Sequence, residues 1–92
     1  MASLADVRQA IDSVDEQIVA LLATREGLVR QAATFKKDEQ GVRAPARVEQ
    51  VLTKVRALAT ERSASPEVVE SVYRAMITAF IDLELTEHRQ RG

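Results

Sequence analysis

The sequence lacks cysteine and tryptophan, and only 3% of its 92 residues are aromatic. Without cysteine the chain can form neither a disulfide framework nor a thiolate zinc site, and it has no cysteine nucleophile. A net charge of -1 at pH 7 argues against a nucleic-acid-binding module, which usually carries a strong basic excess. No apolar run approaches the length of about 18 residues that indicates a membrane span. The first residues lack the basic and then apolar pattern of a signal peptide, so we expect a cytoplasmic protein.

Glycine and proline are also scarce, with 3 and 2 residues, whereas good helix formers are abundant. The sequence shows no internal repeat and no linker, so we expect one domain over residues 1–92. A chain of this size builds only a marginally stable core by itself, which favours oligomerisation.

Apolar residues recur at helical spacing in three segments. They predict a first helix over about 4–37, which Ser3 caps, a second over about 45–62 and a third over about 65–88. Residues 38–44 are predicted to be a loop. No segment has a strand pattern, so the predicted fold class is all-α, with three helices per chain.

The first predicted helix is too long for one small chain to cover. At about 1.5 Å per residue it extends about 50 Å, whereas a compact chain of this length has a radius of gyration of about 12 Å. Its apolar face continues along the whole helix. We therefore expect an intertwined helical homodimer in which the long helices pair.

Charged residues that interrupt the apolar faces are the candidate site residues. Arg25 and Lys36 project from one face of the first predicted helix, about 16 Å apart along its axis. Arg8 lies about 25 Å from Arg25 on the same helix, so it can join that site only from a second chain. Arg47 is in the first turn of the second helix, where an anion is favoured, and Glu84 is on the apolar side of the third.

Each of these residues also has a purely structural interpretation. Arg8 and Arg47 can be surface residues, Arg25 and Lys36 can form interfacial salt bridges, and Glu84 can pair with its helical neighbour His88. Taken together, four cations and one carboxyl group near apolar faces favour a buried anion pocket. The sequence shows no nucleophile constellation, metal-ligand spacing or glycine-rich phosphate loop. A reaction that requires only conformational restraint and charge stabilisation fits such a site.

The segments 5–15, 18–25 and 33–36, followed by Ala44-Pro45-Ala46-Arg47-Val48 and the third helix up to Glu84, resemble the all-helical chorismate mutase family. The resemblance covers nearly the whole chain. It implies an intertwined dimer with two equivalent sites that rearranges chorismate, a small dicarboxylate, to prephenate. This pericyclic reaction requires no cofactor and no covalent intermediate.

The resemblance also assigns roles by position. Arg25 and Arg8 of the partner subunit would bind substrate carboxylates, and Lys36 would contact the ether oxygen and a nearby carboxylate. A protonated Glu84 would donate a hydrogen bond to the ether oxygen from the opposite side. The remaining predicted substrate-binding residues, on the wall of the pocket, are Arg47, Val51, Ile77, Phe80 and Ile81.

Two positions depart from the usual mutase pattern. Val48 stands where many mutases have an acidic residue, and Phe80 where they often have a polar one. The Pro-x-Arg-Val segment is similar to the isochorismate–pyruvate lyase branch, and to the branch that rearranges 4-amino-4-deoxychorismate, although Glu84 differs from the glutamine expected in the lyase. We favour a mutase over these two alternatives. A hypothesis of another class is a non-catalytic helical dimeric interaction module, in which the charges form interchain salt bridges.

Overall fold

The computed structural model describes residues 3–91, with side chains up to residue 90. Its helices are α1 (Leu4–Ala33), α2 (Glu39–Arg43), α3 (Pro45–Glu61) and α4 (Pro66–Arg91). Residues 3–91 contain no strand, so the predicted all-α class and the three long helices are confirmed.

Two serine side chains cap the N-termini of helices at the predicted positions. Ser3 Oγ accepts a hydrogen bond from the Asp6 N–H at 3.1 Å, and Ser65 Oγ accepts one from the Val68 N–H at 3.4 Å. Each satisfies an amide that has no partner within the first helical turn. Pro45 is the first residue of α3, where its missing N–H costs nothing.

The predicted end of the first helix was wrong. α1 ends at Ala33, and the Thr34 hydroxyl donates to the Gln31 carbonyl at 2.7 Å, a local bond that competes with continuation of the helix. The predicted loop 38–44 was also wrong, because it contains α2. Asp38 caps this short helix by accepting a hydrogen bond from the Gly41 N–H at 2.8 Å.

Helices α3 and α4 form a hairpin that contains most of the core. The buried apolar side chains are Ala33, Val42, Leu52, Val55, Ala59, Ile77 and Leu85. Arg56 of α3 binds Glu70 of α4 at 2.7 Å, and Arg74 binds the same carboxylate at 2.8 Å. Hydrogen bonds from Arg74 and then Arg56 lower the pKa of Glu70. The hairpin thus provides the rigid support for α1 and α2.

Only the C-terminal part of α1 packs on this support, through the buried Ala33 and an ion pair between Arg30 and Glu87 of α4. The protein is correspondingly elongated, with extents of 55 × 25 × 16 Å and a radius of gyration of 16.2 Å. Seven large apolar residues in the N-terminal two thirds of α1 are exposed: Leu4, Val7, Ile11, Val14, Ile18, Val19 and Leu21. The expected projection of α1 is confirmed, and the homodimer stays a prediction. No helix in the described part of the chain combines the length and hydropathy needed to cross a bilayer.

Two non-glycine residues adopt left-handed backbone conformations at helix junctions. Ala44, between α2 and α3, has φ 38° and ψ 62°, and Ser63, after α3, has φ 59°. A Cβ atom in this region costs about 1–2 kcal/mol. Each of these two junctions therefore carries backbone strain that a glycine would relieve.

We expect Ala44→Gly and Ser63→Gly each to raise the free energy of unfolding by about 0.5–1 kcal/mol, because glycine removes the Cβ strain. Ala57→Gly is the matched control, because Ala57 is exposed and lies within α3, away from its ends. This change should lower the free energy of unfolding by about 1 kcal/mol. Urea denaturation at one fixed protein concentration measures all three. If the two junction variants were destabilised as much as the control, the assigned strain would be wrong.

Candidate active site

A cavity of about 370 Å³ lies where the C-terminal half of α1, the turn after it, α2 and the hairpin meet. Its volume suits a small organic ligand. Its polar wall consists of Arg25, Lys36, Arg43, Arg47 and Glu84. Its other lining residues are small or apolar: Leu28, Val29, Ala32, Val42, Ala44, Val48, Val51, Ile77, Phe80 and Ile81.

The structure brings together all but one of the site residues predicted from sequence. Those that line the cavity are Arg25, Lys36, Arg47, Val51, Ile77, Phe80, Ile81 and Glu84. Arg8 does not line it, since it lies exposed near the far end of α1. This separation agrees with the reasoning that Arg8 cannot reach the site of its own chain, and its role stays a prediction.

Lys36 and Glu84 form an ion pair on one side of the cavity, where Lys36 Nζ donates to Glu84 Oε2 at 3.0 Å. Glu84 is 4% exposed and is the one buried charged residue within residues 3–90. A buried carboxylate without a partner is strongly unfavourable, so Lys36 stabilises this position. The alternative pairing of Glu84 with His88 is not what the structure shows.

The position of Lys36 corrects its predicted location. It lies in the turn after α1, where its N–H donates to the Ala33 carbonyl, and not on the helix face that carries Arg25. The turn directs its side chain toward α4, where Glu84 is located. The ammonium group therefore reaches the cavity from the turn and not from the helix.

The three cavity arginines form no salt bridge with any residue of the range 3–90, over which side chains are described. Arg25 lies over the Phe80 ring, with its guanidinium carbon 5.2 Å from the ring centroid. Arg47 makes a long hydrogen bond of 3.5 Å to Gln50 Oε1. Since the cavity's one carboxylate pairs with Lys36, the guanidinium charges of Arg25, Arg43 and Arg47 remain available to an anionic ligand.

Two ion pairs connect the C-terminal part of α4 to the elements that carry the site. Arg30 of α1 binds Glu87 at 2.9 Å, and Arg89 binds Glu39 of α2 at 2.8 Å. The hydrogen bond from Arg89 lowers the pKa of Glu39, and the same bond raises the pKa of Arg89. Arg30 precedes Lys36 in the chain and Glu39 follows it, so the two ion pairs hold the segments on either side of Lys36 against α4.

Sequence reasoning missed the contribution of α2. Val42 and Arg43 line the cavity, but they lie in the segment predicted to be a loop. Asp38, three residues before Gly41, is an N-cap signal that indicates this short helix. The cavity positions of Leu28, Val29 and Ala32 were not singled out, because an apolar residue on α1 can serve the core, the site or an interface equally well.

A sequence profile of chorismate mutase type II matches residues 7–85, a range that includes every residue of the cavity. The chain belongs to the chorismate mutase type II family. It is also 34% identical over 87 residues to isochorismate pyruvate lyase of Pseudomonas aeruginosa, an alignment that covers 95% of this chain and 86% of that protein. The family resemblance inferred from sequence is thereby confirmed. Membership supports an enzyme of the isomerase or lyase class and leaves the specific reaction open between mutase and lyase.

The contribution of the Lys36–Glu84 ion pair to the free energy of unfolding can be measured. We expect Lys36→Met to lower the free energy of unfolding by about 1–3 kcal/mol, because it leaves the Glu84 carboxylate buried without a partner. In a Glu84→Gln background, Lys36→Met should lower the free energy of unfolding by less, because no buried carboxylate is left without a partner.

Urea denaturation of the wild type, both single variants and the double variant measures this coupling. The exposed Arg89–Glu39 pair, treated in the same way, is the control and should show much weaker coupling. Additive effects at Lys36 and Glu84 would contradict the pairing.

Proposed function

We propose that this protein catalyses a pericyclic reaction of a chorismate-type dicarboxylate, and that its reaction is the rearrangement of chorismate to prephenate. The observation that carries the proposal is the Lys36–Glu84 pair in one cavity with three arginines that form no salt bridge within residues 3–90. Membership of the chorismate mutase type II family supports the substrate class. A pericyclic step needs no nucleophile, because its bonds break and form together within one molecule.

In this proposal the arginines bind and shape the substrate. Arg25 and Arg47 bind carboxylate oxygens through charge-assisted hydrogen bonds, and Arg8 of the partner subunit completes the site. The exposed apolar face of α1 supplies the surface through which a second copy brings that residue into place. Held in this way, the substrate is restricted to the compact conformation in which its reacting carbons are close.

Lys36 and Glu84 act on the ether oxygen of chorismate. As the C–O bond breaks and the new C–C bond forms, negative charge develops on this oxygen. The Lys36 ammonium stabilises that charge more in the transition state than in the ground state. In the structure Glu84 accepts a hydrogen bond from Lys36, so its proposed donor role requires that it be protonated and that the pair open around the ether oxygen.

An isochorismate pyruvate lyase activity, which forms salicylate and pyruvate by a pericyclic elimination, is the second candidate. The similarity to the Pseudomonas aeruginosa lyase favours it. The apolar wall favours it too, because Val48 and Phe80 line the cavity where many mutases have an acidic residue and a polar one. Rearrangement of 4-amino-4-deoxychorismate is a third possibility on the same scaffold. A non-catalytic helical module is less well supported, because the chorismate mutase type II match and the similarity to a lyase both favour an enzyme.

Incubation of the pure protein with chorismate, and separately with isochorismate, tests the proposal. We expect prephenate from chorismate, whereas salicylate and pyruvate from isochorismate would establish the lyase. Lys36→Ala should lower kcat by about 100- to 1,000-fold, the usual effect of removing one group that stabilises transition-state charge. Lys37→Ala, at the exposed neighbouring residue, is the matched control and should retain activity. No turnover of either compound, or of 4-amino-4-deoxychorismate, would refute the catalytic proposal.

Complementation between variants tests the shared site. Arg8→Ala and Arg25→Ala should each be inactive as homodimers. A heterodimer of the two contains one site with both arginines intact, so refolding an equal mixture should restore about a quarter of wild-type activity. Absence of recovery in a mixture with verified heterodimers would show that Arg8 and Arg25 do not serve one site from different chains.

A further inference from the structure

The contact between Arg25 and Phe80 joins α1 to α4 inside the cavity. The guanidinium carbon is 5.2 Å from the ring centroid, within the range of about 6 Å in which an aromatic face attracts a cation. Both residues are half-buried, which reduces the competition from water. The contact therefore restricts a side chain that otherwise has several freely rotating bonds.

Arg30, further along α1, shows how acidic partners balance the charge of an arginine and use its N–H donors. Its guanidinium binds Glu26 at 3.0 Å and Glu87 at 2.9 Å, so its charge is balanced and several of its N–H donors are used. The Arg25 side chain has no hydrogen bond or salt bridge with residues 3–90. An aromatic ring attracts the cation by its quadrupole, brings no negative charge and leaves the N–H groups at the guanidinium edge free.

We propose that Phe80 is a positioning residue that holds the Arg25 guanidinium in the cavity while leaving its charge and N–H donors for a ligand carboxylate. This inference rests on the proposed function for the identity of the ligand. An aliphatic residue in place of Phe80 would leave Arg25 mobile, and an acidic one would neutralise it. The aromatic ring restricts the Arg25 side chain and also leaves its positive charge and its N–H donors available.

The contact can be measured independently of activity. Because the Arg25 guanidinium lies over the Phe80 ring, we expect the ring current to shift the NMR signal of the Arg25 Nε–H upfield in the wild-type protein. We expect Phe80→Leu to abolish this shift and Phe80→Tyr to preserve it, because tyrosine retains the aromatic face. Phe35→Leu, which removes an exposed ring outside the cavity, is the matched control and should leave the signal unchanged. A wild-type signal without the upfield shift would overturn the proposal.

Kinetics then test whether the contact positions Arg25 for substrate. With the compound that the wild type converts, we expect Phe80→Leu to raise KM by about 3- to 30-fold, the range for partly desolvated cation–π contacts, with a smaller change in kcat. Phe80→Tyr should restore KM to within about twofold of the wild type, which a loss of packing alone would not predict. An unchanged KM in a Phe80→Leu variant that has lost the NMR shift would also overturn the proposal.

Failure of the proposed function is a separate outcome. If the wild type converts none of the three candidate compounds, the same variants are compared by NMR titration with chorismate as a dicarboxylate probe. Phe80→Leu is then expected to raise the Kd for chorismate by about 3- to 30-fold, because the same contact with Arg25 is lost. Equal affinity of the wild type and Phe80→Leu, or no binding to the wild type, would overturn the inference.

Discussion

The buried carboxylate of Glu84 is the constraint on which the site depends. A charge in that position requires a cation, and the cation comes from Lys36, 48 residues away in sequence. Lys36 reaches α4 from the turn that follows the end of α1 at Ala33. The same turn leads into α2, which brings Arg43 and Val42 to the cavity. One ion pair thus links the end of α1, the placement of α2 and the polar wall of the cavity.

The rest of the cavity is defined by charges that remain unbalanced. Acidic partners neutralise Arg30, Arg56 and Arg89, the arginines that connect helices outside the cavity. Of the three arginines inside it, Arg25 and Arg47 have an aromatic ring and a weakly bonded amide, respectively, as neighbours instead. This difference separates arginines that hold the fold together from arginines that can bind an anion. It agrees with the dicarboxylate substrates proposed for this member of the chorismate mutase type II family.

Much of the fold and most of the candidate site could be predicted from the sequence. The long helices follow from apolar spacing, and their starts from Ser3, Pro45 and Ser65, because capping depends on a few neighbouring residues. The end of α1 could not be predicted in this way. Its apolar pattern continues beyond Ala33, and the competing local bond of Thr34 is weak by itself. The short helix α2 was missed for a related reason, since five residues are too few to show a periodic pattern.

Local spacing and composition were enough to predict the all-α class, the excess length of α1 and the charged residues that interrupt apolar faces. How those charges pair depends on the packing of the helices. The tertiary structure joined Lys36 to Glu84 rather than Glu84 to His88, placed Phe80 under Arg25 and added Arg43 to the wall. Such pairings depend on distances between residues far apart in the chain. Helix ends and packing determine those distances, and a shift of one turn, about 5.4 Å, is enough to change the partner.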